Sequence, residues 1–278
     1  MRFGLFGSAQ AKRPEPGAEL TDSSQGFREW IENNVEAEAL GFHSTFVVEH
    51  HFTGFGQVSA TLNLLTWIGA RTTTLRLGTA VIVLPWHNPV LLAEQAATVD
   101  LLSGGRLDFG IGKGYRHNEY ASFRVPMEEG QARFEEAIDI ITKSWVSNER
   151  FDFHGRFWQY DGIVVEPPTI QKPHPRFWQG AGHPESIRRV ARRGHNLLLD
   201  QFASLEETGN RFAVGKQLAV IVDAHRYVKS VFKHRTQCHA AAKRRKVGQI
   251  TNDTRGIIRR PRKREADGDW LAASHRAL

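Results

Sequence analysis

A single cysteine, Cys238, stands among 278 residues, with only two methionines and four tyrosines. One thiol excludes an internal disulfide and any multi-thiolate metal site, and the cytoplasm is the compartment such a chain suits. No run approaches the roughly 20 consecutive apolar residues that a membrane span requires. The opening MRFGLFG has no long apolar region ending in small residues, so it reads as a first strand and not as a secretory leader. HxH and HExxH spacings are missing, which removes the simplest zinc readings. The glycines of GIGKG at residues 110–114 lack the third spaced glycine of a dinucleotide fingerprint.

What is there suits one large α/β barrel or two small domains. Hydrophobic residues make up 40% of the chain, enough for a sizeable core. The net charge of +7 is unevenly spread. Residues 229–278 hold 14 Lys+Arg against 4 Asp+Glu, whereas the first 228 residues hold 23 against 26. The basic character belongs to the tail, and the tail is nearly free of aromatic residues, so nucleic acid is not an expected partner.

Apolar spacing predicts alternating strands and helices. Strands are expected at Arg2–Phe6, Ser44–Val48, Leu75–Val83, Leu107–Ile111, Phe177–Gly180 and Asn196–Asp200, with a seventh at Ala219–Val222 and no eighth. Helices are expected from about Phe27 to Leu40, at Ala60–Arg71, Val90–Leu102 and Gln131–Val146, and from about Pro184 to Arg193. Phe134, Ala137, Ile138, Ile141 and Trp145 share one face of the fourth helix. Residues 150–165 read as a hairpin insertion around His154-Gly155. The expected fold is a TIM (β/α)8-type barrel, incomplete at the C-terminus. Its domain is 1–228, followed by a basic tail at 229–278, as a frameshift near residues 210–228 would produce.

In parallel barrels the chemistry sits at the C-terminal ends of the strands. Four strands here run into polar or glycine-rich segments: Glu49-His50-His51, Leu84-Pro85-Trp86-His87, Gly112-Lys113-Gly114-Tyr115 and Gly180-Ala181-Gly182-His183-Pro184. Adjacent residues on a strand face opposite ways, so His50 and His51 are poorly placed to share one ion. Glycines beside Lys113, and a helix starting just after Gly182-His183, offer backbone N–H groups and positive charge to an anion. Residue chemistry alone reaches a barrel that binds a phosphorylated small molecule. Phe52, Phe55, Trp86 and Tyr115 add an aromatic mouth.

The run EHHFTGFG at 49–56 resembles the EHHFTxFG segment of the bacterial luciferase-like flavin-dependent monooxygenases. LGTAVIVLPWHNPV at 77–90, GRLDFGIGKG at 105–114 and QGAGHPES at 179–186 resemble further segments of that family in the same order. The resemblance spans residues 1–209. It implies a TIM barrel that takes reduced FMN from a separate flavin reductase and uses molecular oxygen to oxidise a small apolar substrate, commonly as a homodimer. It places His50 as the catalytic histidine, supported by Glu49 and His51. Ala80-Val81 matches the position of a non-proline cis peptide against the flavin. Gly112, Lys113, Gly114 and Tyr115 fall in the cofactor segment, and Gly182, His183 and Ser186 at the phosphate-binding turn.

The chain departs from the luciferases at Gly112, where they carry a cysteine, so light emission is not expected. A second phosphate-binding arginine is replaced by Gln131, with Arg133 two residues on. Two other outcomes fit the same segments: hydride transfer with a reduced deazaflavin on the same barrel, and an inactive truncated remnant.

Overall fold

A computed structural model describes residues 2–11, 24–200 and 202–216. In chain order they form β1 (Gly4–Gly7), α1 (Gln25–Ala39), β2 (Ser44–Val47), α2 (Thr61–Arg71), β3 (Arg76–Thr79), β4 (Ile82–Val83), α3 (Pro89–Leu102), β5 (Leu107–Gly112), α4 (His117–Ser122), α5 (Gly130–Val146), β6 (Phe151–His154), β7 (Gln159–Ile163), β8 (Arg176–Gly180), α6 (Pro184–Arg192), β9 (Asn196–Leu198) and α7 (Leu205–Lys216). Single turns of 3-10 helix cover Leu84–Trp86 and Met127–Glu129. β1, β2, β3, β5, β8 and β9 pair in that order, all in parallel, and β4 pairs with β5. Such a curled parallel sheet with helices outside is the barrel expected from the alternation, and among the described residues it stops at β9. The anticipated seventh strand, the boundary at residue 228 and the basic tail lie outside the described residues.

Local chemistry explains where elements start and stop. The Asn88 side chain accepts from the amides of Val90 and Leu91, both at 3.0 Å, and Pro89 opens α3 at the position that needs no N–H. That helix ends at Gly104 and Gly105, both with positive φ. α5 buries the five residues assigned to its inner face, and the Trp145 indole donates to the Ala93 carbonyl at 3.0 Å, tying α5 to α3. β6 and β7 pair antiparallel as the expected hairpin.

The third strand differs from expectation. It breaks into β3 and β4 around a cis peptide between Ala80 and Val81. The Thr79 hydroxyl bridges the break: it donates to the Gly110 carbonyl at 2.6 Å and accepts from the Gly110 amide at 2.8 Å. A Cβ on residue 110 would lie 1.7 Å from the Thr79 carbonyl oxygen, so only glycine permits this approach.

Strand alternation sends one set of side chains outward under the helices. Leu64, Leu65, Ile68 and Leu77 form one such cluster, and Leu92, Phe109, Ile138 and Trp145 belong to the other. The opposite set points into the barrel, where Phe46 of β2 meets Trp178 of β8 edge-on, with ring centroids 5.2 Å apart. At the strand beginnings the buried Asp108 takes both ends of the Arg76 guanidinium at 2.8 Å and Arg176 at 3.1 Å. This ion cluster lies at the barrel floor, the end opposite the strand C-termini.

Candidate active site

Strand register fixes which loops meet. Val47 pairs with Thr79, Val83 with Gly112, Ile111 with Gln179 and Gly180 with Leu198. The four polar segments named from the sequence therefore emerge side by side from one edge of the sheet. The amide of Ala181 donates to the Leu198 carbonyl at 3.1 Å, which continues the pairing into the glycine turn.

Two buried carboxylates organise the histidines. Glu49 lies two residues past the end of β2 and is 3% exposed, with His51 Nε2 at 3.1 Å and His87 Nε2 at 3.0 Å from its Oε1. The Trp86 indole donates to the same oxygen at 3.1 Å. Burial alone would push the Glu49 carboxyl up. The hydrogen bonds and charges of His51 and His87 outweigh it and bring the pKa down to about 2. Glu119, equally buried on α4, accepts the His51 amide at 2.9 Å and lies 3.2 Å from His50 Nδ1. His50 and His51 thus serve one network although their rings meet different carboxylates.

Aromatic rings wall this network. Trp86 stacks on Phe123 at 5.2 Å with an interplanar angle of 18°, and meets Tyr120 edge-on at 5.3 Å. Phe123 also touches His51 and Phe52, at 4.8 and 4.9 Å. The Tyr120 hydroxyl donates to the Lys113 carbonyl, and burial pushes its pKa up to about 12. Of the four aromatics expected at the mouth, Trp86 and Phe52 pack on Phe123, Phe52 while remaining 59% exposed. Phe55 and Tyr115 are exposed as well.

The glycine-rich segment after β5 is shaped by what glycine leaves open. A Cβ at Gly112 would come within 2.5 Å of Val81 Cγ2, and one at Gly114 within 2.6 Å of Val83 Cγ1. Gly114 also has a φ of +77°, which side-chain-bearing residues adopt rarely. Lys113 is exposed between them. At the start of α6, His183 is the capping residue, its ring accepting the Glu185 amide at 3.3 Å. The Ser186 hydroxyl is 3.1 Å from Arg189. Arg211 of α7 reaches this turn: its Nη1 would be 3.5 Å from a Cβ on Gly182, and it pairs with Asp200 and Glu207. A glycine cradle with Lys113 beside it, and a helix start carrying Ser186 and Arg189, suit a flat polar ring system bearing a phosphate. Gln131 and Arg133 take other duties, for Gln131 donates to Glu135 while Arg133 bonds Glu129 at 2.9 Å and stacks on Phe157 at 4.5 Å.

Sequence reasoning missed Glu119, Tyr120 and Phe123, which sit on or next to the six-residue α4, and Arg189 and Arg211. A segment that short leaves no periodicity to read. Among the described residues no group of His, Cys, Asp and Glu is arranged to hold a metal ion, and no helix is long and apolar enough to cross a membrane.

The family model of luciferase-like monooxygenases matches residues 1–230. The chain belongs to this family. The oxygenase component of a flavin-dependent trigonelline monooxygenase from Acinetobacter baylyi is 31% identical over 199 residues, covering 71% of this chain and 53% of that protein. An F420-dependent glucose-6-phosphate dehydrogenase from Intrasporangium calvum is 30% identical over 183 residues, 62% of this chain and 54% of that one. The crystal structure of the monooxygenase RslO1 from Streptomyces bottropensis superposes with a TM-score of 0.70 at 29% identity, covering 79% of this chain and 66% of that one. The chain spans about half the length of the curated relatives it matches.

Proposed function

We propose that this member of the luciferase-like family is a flavin-dependent monooxygenase that uses reduced FMN and molecular oxygen to oxidise a small apolar compound. The observation that carries the reading is the histidine network beside the glycine cradle: His50, with a side chain 17% exposed, is backed by a buried carboxylate at the mouth of the barrel. Reduced flavin, when bound, supplies the electrons that activate oxygen. Gly112, Lys113, Gly114 and the Ala80-Val81 peptide would hold the ring side, and Gly182, His183, Ser186 and Arg189 the phosphate side. Glu49 orients His51 and His87, and with them Trp86. The Trp86–Phe123 stack keeps water from one side of the mouth, which strengthens every charge interaction inside it. His50 accepts a proton at Nε2, the nitrogen that faces away from Glu119, and can then return it. The partners this reading expects are a separate flavin reductase and, as a dimer, a second barrel.

The test is an anaerobic titration with reduced FMN followed by admission of oxygen. Saturable binding and oxygen-dependent reoxidation slower than that of free flavin support the proposal. Absence of binding overturns it. The relative that uses F420 motivates a second reading, hydride transfer with a reduced deazaflavin. It predicts binding of that cofactor with no oxygen consumption. In either case His50→Ala is expected to lower turnover by about 100-fold or more while cofactor affinity changes less than about threefold. Equal loss of both would assign His50 to cofactor binding or structure.

A further inference from the structure

We infer that Glu119 is a positioning residue that fixes the neutral His50 ring as its Nδ1–H tautomer, so that Nε2 is presented bare at the barrel mouth. The inference rests on the proposed acid–base role of His50 and adds a residue to it that lies 69 positions away in the chain.

Three observations carry it. Glu119 Oε1 already accepts the His51 backbone amide at 2.9 Å, so this oxygen is acting as an acceptor. The same oxygen is 3.2 Å from His50 Nδ1, and an accepting carboxylate oxygen there requires Nδ1 to carry the proton. Glu119 is 2% exposed and therefore has little freedom to turn away into solvent. The backbone holds the other side, because the His50 amide donates to the Val58 carbonyl at 3.1 Å. One oxygen thereby grips two consecutive residues, His50 by its ring and His51 by its amide. A free histidine favours the opposite tautomer, with the proton on Nε2, so the orientation proposed here has to be imposed by a partner. His51 is held the other way, by Nε2 on Glu49 at 3.1 Å. The two neighbouring histidines therefore carry their protons on different nitrogens, and only His50 offers an unprotonated Nε2.

The experiment is nitrogen NMR of the full chain labelled with 15N-histidine, without flavin, at about pH 8, where imidazole is ordinarily neutral. The His50 signals are assigned by their loss in His50→Gln. In the unsubstituted chain His50 should show a protonated Nδ1 and a bare Nε2, and a protonated Nε2 overturns the inference. Glu119→Gln keeps an accepting carbonyl oxygen and should keep the tautomer. Glu119→Leu should move His50 toward Nε2–H, and an unchanged tautomer in Glu119→Leu also overturns the inference. Should Glu119→Leu not fold, the spectrum of the unsubstituted chain decides alone. In turnover, Glu119→Leu is expected to lose about 100-fold and Glu119→Gln less than about tenfold, with flavin affinity held in both. Failure of reduced FMN to bind would sink the proposed function and leave the ring tautomer, read without flavin, to stand or fall separately.

Discussion

Asp108 is buried at one end of the barrel between Arg76 and Arg176, and Glu49 at the other among His51, His87 and Trp86. Both carboxylates are stripped of water, and both are satisfied by several donors. The difference lies in the donors. Arginine keeps its charge at any pH a protein survives, so the floor cluster is static. A histidine ring nitrogen can be a donor or an acceptor, so the hydrogen bonds at the mouth can change during a reaction. A carboxylate held by arginines is a structural fastening, whereas one held by histidines can support proton transfer.

The largest expected effect tests the floor. Asp108→Ala leaves two arginines facing each other in a buried space and should cost about 3–5 kcal/mol in urea denaturation. The cost should be nearly the same from about pH 6 to pH 8, because the partner charges are permanent. A loss that changed strongly across that interval would break the contrast between the two ends.

Glu49→Gln should cost less, about 1–3 kcal/mol at neutral pH, since the amide retains an acceptor for one donor. The carboxyl sits at about 2 in the folded chain against an ordinary 4.5. Its contribution is therefore fully present above pH 4.5 and fades as the pH falls toward 2, because the unfolded chain takes up the proton first. Denaturation curves of Glu49→Gln and the unsubstituted chain should converge over that interval, and a constant gap would show that packing and not charge holds Glu49.

The smallest effect belongs to His195, which stacks on Phe177 at 4.7 Å and is pushed down to about 4 by burial, with Arg193 adding to the shift. Between pH 6.5 and about 4 the unfolded chain binds a proton that the folded chain refuses, so stability falls with pH there. His195→Asn should flatten that part of the profile, a gain of about 2–4 °C in Tm near its acidic end. An unchanged slope would mean that the ring is reached by water.

Much of the fold was legible because its signals are local. The five apolar residues of α5, the Asn88-Pro89 start of α3 and the aromatic hairpin each declare themselves within one segment. The split of the third strand was not legible from periodicity, since the apolar run from Leu75 to Val83 continues through it. At the site, Glu49, His50 and His51 stood out by resemblance and by their place after a strand. Phe52, Phe55 and Tyr115 looked equally suited to the mouth; the structure leaves all three exposed and sets Phe52 against Phe123.

The sequence by itself determined that strands alternate with helices, that polar segments follow four of the strands, and that the chain reads as a luciferase-like barrel. Those properties depend on residue spacing and on motifs within short windows. Tertiary structure alone decided that Glu119, from a six-residue helix, meets His50, that His87 joins His51 on Glu49, and that Arg211 reaches the glycine turn. Each of these joins residues far apart in the chain, and the partner is chosen by strand register and by the cost of burying a carboxylate without donors, neither of which a local window contains.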